Sequence, residues 1–183
     1  MRRIFAETSW LPHPETVRKV GGAVFPTARA RKNCPRFTEI HREGKVVGIY
    51  DDNTTPTWAL LWSHGIASGN RVGLTFAHVW TVADDIESYT HPANLAIVPE
   101  CLAGLTDKTG PVTSFLRWHA WRTYGWKPLS VVEPEIPAGY GDIRWNYLEP
   151  CEAPRSYIAE RIAKLDNERL RLLRPIMRSL GVL

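Results

Sequence analysis

Two apolar, β-prone runs lie a short distance apart in the chain. The first, Val72-Gly73-Leu74-Thr75-Phe76-Ala77-His78-Val79-Trp80, reads as a strand that ends near a histidine. The second, Asn94-Leu95-Ala96-Ile97-Val98, reads as a shorter strand that opens on an asparagine. Between them runs a polar loop that includes Asp84, Asp85, His91 and Pro92, and Pro99-Glu100 then starts a segment to Asp107 that reads as a helix. Strand, loop, strand, helix is a strong constraint, because the two strands have to pair before either can bury its apolar face.

The rest of the chain is less regular. Residues 1–35 contain four prolines, the pair Gly21-Gly22 and the basic run Arg29-Ala30-Arg31-Lys32, with no sustained period, and predict an extended basic arm with at most one short helix. Phe37 to Tyr50 reads as a hairpin turning at Arg42-Glu43-Gly44. Thr55 as N-cap and Pro56 predict a helix over 56–64, which Gly65 stops. Ser68-Gly69-Asn70 reads as a turn. Gly110-Pro111 and Gly125 bracket a second helix carrying Phe115, Leu116, Trp118, Trp121 and Tyr124, and residues 126–150 form a proline-rich connection. From Ala153 to Leu180, apolar residues at Ile158, Ile162, Leu165, Leu172, Ile176 and Leu180 predict one long amphipathic helix, only modestly disturbed by Pro175. That helix packs on the core or pairs with a second copy as a homodimer; Arg169 in its apolar seam weakens a coiled coil. The expected organisation is an arm (1–35), an α+β core (36–150) and a C-terminal helix (151–183).

With 183 residues, 44% hydrophobic and 23% charged, the chain is long enough for one sizeable core and unlike a disordered or collagen-like sequence. No apolar run approaches the roughly 18 residues of a membrane span, and Met1-Arg2-Arg3 leads into Glu7, Pro12 and Pro14 rather than a signal core, so a soluble, cytoplasmic protein is expected. Cys34, Cys101 and Cys151 form no C-x-x-C pair and predict free thiols, with Cys101 buried and inert. Charge is unevenly spread. Residues 1–49 carry ten Lys/Arg against four acids, residues 50–150 six against eleven, and residues 151–183 seven against four. Basic ends suit a polyanion such as nucleic acid, and an acidic middle suits a cation or acid/base chemistry.

The stretch from Phe76 through His78 and Asn94 to Asp107 resembles the HNH, or ββα-metal, nuclease motif. The resemblance covers about thirty-five residues and implies a ββα-metal-like unit with additional helices. It implies His78 as the general base on a water molecule, Asn94 as the brace of the loop, and metal ligands on the helix, with Asp107 and Glu100 as candidates for holding Mg²⁺ or Mn²⁺. Asp84 or Asp85 is an alternative oxygen ligand. Two customary ligand positions are Ala77 and Ala103 here, for which the helix compensates, since Glu100 and Asp107 lie three before and four after Ala103 and share its face. Phosphodiester hydrolysis needs an oriented water, a base and positive charge near the phosphate. Arg71, Lys108, Arg117 and Arg122, together with the run at 29–32, are the cations expected nearest a bound phosphate backbone, DNA being favoured over RNA.

Other histidines carry less weight. His64 reads as a cation at a helix C-terminus, His91 as an exposed loop residue within reach of phosphate, and His119 as packing among tryptophans. The sequence leaves two further readings open: a nucleic-acid-binding module on the same scaffold that no longer cuts, and an interaction protein in which the tryptophans and the C-terminal helix form a partner surface.

Overall fold

Short elements alternate from the first residues onward. In the computed structural model, which describes residues 1–68, 72–141 and 143–183, the chain runs α1 (Arg2–Glu7), β1 (Trp10–Leu11), α2 (Pro14–Val20), β2 (Thr27–Arg29), β3 (Glu39–Arg42), β4 (Lys45–Asp51) and α3 (Thr54–Ser63). It continues through β5 (Leu74–His78), β6 (Leu95–Pro99), α4 (Pro111–Tyr124), β7 (Asn146–Tyr147), α5 (Pro154–Lys164) and α6 (Glu168–Ser179). Two 3-10 segments, Pro92–Asn94 and Glu100–Leu105, flank β6. The fold is α+β, with 39% helix and 17% strand. Among the described residues no helix is long and apolar enough to cross a membrane.

One sheet has the order β5-β6-β1-β7 and the other β2-β4-β3. The hairpin β5–β6 pairs antiparallel in the register Leu74↔Pro99 to His78↔Leu95. β6 is the wall between two apolar cores. Leu95 and Ile97 face a core built with Phe25, Trp62, α5 and α6, while Ala96 and Val98 face one built with Phe5, Leu11, Trp80 and Leu116 of α4. All four of these β6 residues are buried, which explains why this strand is apolar on both faces instead of alternating.

The hairpin β3–β4 turns through Glu43 and Gly44 at φ 50° and 75°, the paired left-handed conformation of a two-residue turn. Gly48 of β4 lies so close to the Pro26 carbonyl that a Cβ would sit 2.5 Å from its oxygen, and only glycine fits. In α3, Trp58 and Trp62 stack at 4.7 Å and Phe25 meets both edge-on.

Several expectations need correction. Residues 1–35 are not an arm: β1 sits inside the first sheet between β6 and β7, β2 lies beside β4, and Phe5, Leu11, Val17, Val20 and Phe25 are buried. Helix, strand and turn succeed one another too quickly there for a period to build up. α3 starts earlier than its punctuation suggested. Asn53 precedes it, Asp52 Oδ1 accepts from Thr54 N at 2.8 Å, and the Thr55 hydroxyl is buried against that of Thr27 at 2.9 Å.

The C-terminal segment is two helices, not one. The break falls at Leu165–Asn167, where Leu165 turns extended and Asn167 Oδ1 accepts from Leu170 N at 3.0 Å to start α6. Arg174 donates to the Ile162 and Leu165 carbonyls and closes the end of α5. Pro175 lies within α6 without ending it. Ile158, Ile162, Leu170, Leu173, Ile176 and Met177 are buried within the chain's own core, so the apolar face that would have made a dimer is already covered, whereas Leu172 and Leu180 are exposed. Arg169 is no defect in the seam, because it reaches back to β4 and bonds Asp51 at 2.7 Å and Asp52 at 3.0 Å.

Candidate functional site

β5 delivers His78 to the mouth of the hairpin, opposite Leu95. From there residues 79–94 make a long excursion, and Asn94 holds it together. Its main-chain carbonyl accepts from Val79 N at 2.8 Å, its side-chain Oδ1 accepts from Trp80 N at 2.8 Å, and its Nδ2 donates to the Ser88 carbonyl at 2.9 Å. One fully buried amide thus ties the outgoing limb of the loop to the returning one, using both its donor and its acceptor.

The loop is pinned elsewhere as well. Asp85 accepts from the Ser88 hydroxyl at 2.5 Å and from Glu87 N at 3.2 Å, and its main-chain carbonyl accepts from Tyr89 N at 2.9 Å. Thr90 exchanges hydrogen bonds with the main chain of Phe25. Arg117 of α4 donates through Nε to the Val79 carbonyl at 3.1 Å.

This rigid loop presents the Tyr89 carbonyl to His78 Nε2 at 3.1 Å, and the two rings stack at 5.1 Å and 10°. A carbonyl only accepts, so Nε2 carries the proton and donates it, which leaves Nδ1 as the basic nitrogen. Burial lowers the His78 pKa to about 4, opposed by the Tyr89 hydrogen bond and, to a lesser degree, by the nearby Asp107 carboxylate. At neutral pH His78 is an uncharged imidazole in one tautomer and one orientation.

The far side of the site differs from its expectation. Glu100–Leu105 is a six-residue 3-10 segment without a buried residue, followed by a turn that the Thr113 hydroxyl closes on the Leu105 and Lys108 carbonyls. Gly104 inside the run and Asp107, Thr109 and Gly110 after it are poor helix formers, and the run buries no residue that would hold it as an α-helix. Glu100, Ala103 and Asp107 therefore do not share an α-helical face as the spacing argument required. Asp107 acts on His78 electrostatically, while Glu100 is exposed and its main chain pairs with Gly73.

Asp84 and Asp85 are engaged with Arg31 at 3.5 Å and Arg42 at 3.7 Å. Among the described residues no three His, Cys, Asp or Glu side chains converge to hold a metal ion. Ala77 and Ala103 supply no ligand atom, so the donor set does not make a divalent-cation cage of its own.

The expected cations are dispersed. Arg71 lies outside the described residues, as does the Gly69-Asn70 part of the turn. Lys108 is exposed beside Asp107. Arg117 is half-buried and braces the loop, with burial lowering its pKa. Arg122 belongs to the surroundings of His119, whose protonation its charge disfavours.

The other histidines that the sequence singled out stand apart from His78, each with partners of its own. His64 is not a helix-end cation: it is buried, accepts from His13 N at 3.0 Å and donates to the Leu60 carbonyl, and burial lowers its pKa to about 4. His91 is not exposed: it accepts from Ala93 N at 3.1 Å and stacks on Trp126 at 3.9 Å. His119 lies between the Tyr140 and Tyr147 hydroxyls at 2.5 and 2.7 Å. Cys101, expected buried, is exposed.

One participant escaped the sequence reading: Tyr89 orients His78 through its main chain, which no residue type announces. Comparison of the chain with protein-family models, with curated proteins and with solved structures finds no match in any of the three.

Proposed function

We infer that the chain hydrolyses phosphodiester bonds in nucleic acid, DNA being favoured, with His78 as the general base. One observation carries this reading: the buried Asn94 amide fixes the loop at Trp80 and Ser88, and the next residue, Tyr89, uses its carbonyl to fix the tautomer and direction of His78. A histidine held in this way, with Nδ1 left to accept, is suited to proton transfer. Water attacks phosphorus, His78 Nδ1 takes the water proton, and the bond from phosphorus to the leaving oxygen breaks; solvent then protonates that oxygen. A neutral imidazole can accept the proton, whereas an imidazolium cannot. The base and brace agree with the HNH resemblance, and the thin ligand set at Ala77 and Ala103 departs from it.

That departure favours a second reading, a nucleic-acid-binding module on the same scaffold that does not cut. Conversion of supercoiled plasmid to nicked or linear form, with no added metal, with Mg²⁺ and with Mn²⁺, separates the two. Cutting by the wild type that disappears in His78→Ala supports hydrolysis with His78 as base. Salt-sensitive DNA binding without cutting by either protein selects the binding module. Loss of both cutting and binding returns the interaction-protein reading.

A further inference from the structure

The dipeptide His-Pro occurs twice, at 13–14 and 91–92, and the fold puts it to the same use both times. A residue before proline is pushed to extended backbone, and proline is pre-set for the first helical position. His13, at φ −66° and ψ 133°, therefore precedes α2, and His91, at φ −68° and ψ 124°, precedes the 3-10 segment Pro92–Asn94. Each caps its element with its ring: Glu15 N donates to His13 Nδ1 at 3.2 Å, and Ala93 N donates to His91 Nδ1 at 3.1 Å. A ring nitrogen that accepts carries no proton, so both imidazoles are held neutral, with hydrogen on Nε2.

Both corners line one cleft of about 730 Å³, which runs along α2 and the chain leaving α4. His91 is only 6% exposed, yet its Nε2 has no partner among the described residues and is not sealed from solvent. His13 Nε2 is likewise unpartnered among them. Arg18 lines the same cleft, is exposed and, among the described residues, pairs with no carboxylate; the nearby Glu15 is held by Lys19 at 2.9 Å. Val17, Tyr124 and Trp126 supply an apolar wall, and the Tyr124 hydroxyl is spent on the Pro12 carbonyl at 2.7 Å.

We propose that this cleft binds a monoanionic carboxylate with an apolar body, its oxygens accepting from His13 Nε2, His91 Nε2 and the Arg18 guanidinium. Unpartnered donors gathered in one space call for a ligand that accepts, and hydrogen bonds to an ionised acceptor are the strong ones. Two neutral imidazoles and a single free cation match one negative charge. The Glu15 carboxylate on the same rim opposes a second, which favours a carboxylate over a phosphate monoester. A space of this size, with an apolar wall and a few convergent polar groups, is the usual form of a small-molecule site. The proposal does not depend on the hydrolytic reading of His78.

The test is proton–nitrogen correlation NMR of the imidazole and indole nitrogens, titrated with benzoate, benzamide and phenyl phosphate, for wild type, His13→Asn, His91→Asn, Arg18→Ala and Lys45→Ala. Asparagine keeps an acceptor to cap each element and removes the Nε2 donor. Benzoate is expected to give saturating shifts at His13, His91 and the Trp126 indole but not at exposed His41, with benzamide binding about tenfold more weakly. His13→Asn and His91→Asn should each weaken benzoate binding by about tenfold and Arg18→Ala by about threefold, with Lys45→Ala unchanged. Arg18→Ala, at an exposed position, keeps the test decisive even if His91→Asn unfolds the loop. Shifts at His13 and His91 that merely track those at His41 overturn the site. Wild-type affinity in both asparagine variants removes the imidazoles from it, and phenyl phosphate binding more tightly than benzoate overturns the carboxylate assignment.

Discussion

The two sides of the hairpin mouth are built to different standards. On the loop side, Asn94 is fully buried with its main-chain carbonyl and both ends of its amide bonded, and Tyr89, Thr90 and His91 are buried behind it. On the opposite side, Glu100–Leu105 is a short 3-10 segment with no buried residue, and Asp107 and Lys108 stand in solvent. The contrast teaches where precision is needed. A general base works through one lone pair in one direction, so its support has to be rigid. Oxygen groups that meet a cation or a phosphate through water tolerate a looser frame.

The sharpest way to break this comparison is His78→Ala. Under the proposed hydrolysis, removing the His78 imidazole is expected to reduce cleavage by about 10²- to 10⁴-fold with little change in duplex affinity, measured by plasmid nicking and anisotropy. A variant that cuts as well as wild type would remove the loop side from the chemistry. Asn94→Ala is next, and its effect is on stability. It strands the Trp80 N–H and the Ser88 carbonyl in the interior, at a cost of about 1–3 kcal/mol each, read from urea unfolding. Glu100→Gln, on the loosely built side, should change the same measurement by less than about 0.5 kcal/mol.

Acid should sharpen the contrast further. His64, His78 and His91 have pKa values lowered to about 4 by burial, against an ordinary 6.5. Between those values the unfolded chain takes up protons that the folded chain refuses, so stability held above about pH 6.5 is lost as pH falls toward 4. Thermal unfolding at pH 7, 6 and 5 should show a falling midpoint, and His91→Gln should flatten the trend. The smallest effect on cleavage is expected of Tyr89→Phe, which removes only the hydroxyl bond to Asn53 and keeps the carbonyl that orients His78. It should cost about 1 kcal/mol and leave cleavage within a few-fold of wild type.

Much of the site's loop side was legible in the residues. Alternating and continuous apolar runs located β5 and β6 to within two residues, and the positions of His78 and Asn94 at facing strand ends followed from that. Gly110-Pro111 and Gly125 bracketed α4 correctly, because backbone punctuation is a local property. The segment after β6 was misread because its opening Pro-Glu announces a helix that Gly104 weakens and that no buried face holds in place. The histidines were misjudged for a different reason: His64, His91 and Cys101 have environments set by remote chain, such as the Trp126 ring over His91.

By itself the sequence determined the hairpin strands, the base and brace candidates at their ends, and the helices bounded by proline and glycine, since each rests on the conformational preferences of neighbouring residues. Only the tertiary structure decided that residues 1–35 belong to the sheets, that the C-terminal helices close on their own core, and that the carbonyl and ring of Tyr89 stand at His78. Those outcomes depend on which distant surfaces bury each other and where a main-chain carbonyl points, and local preference carries neither.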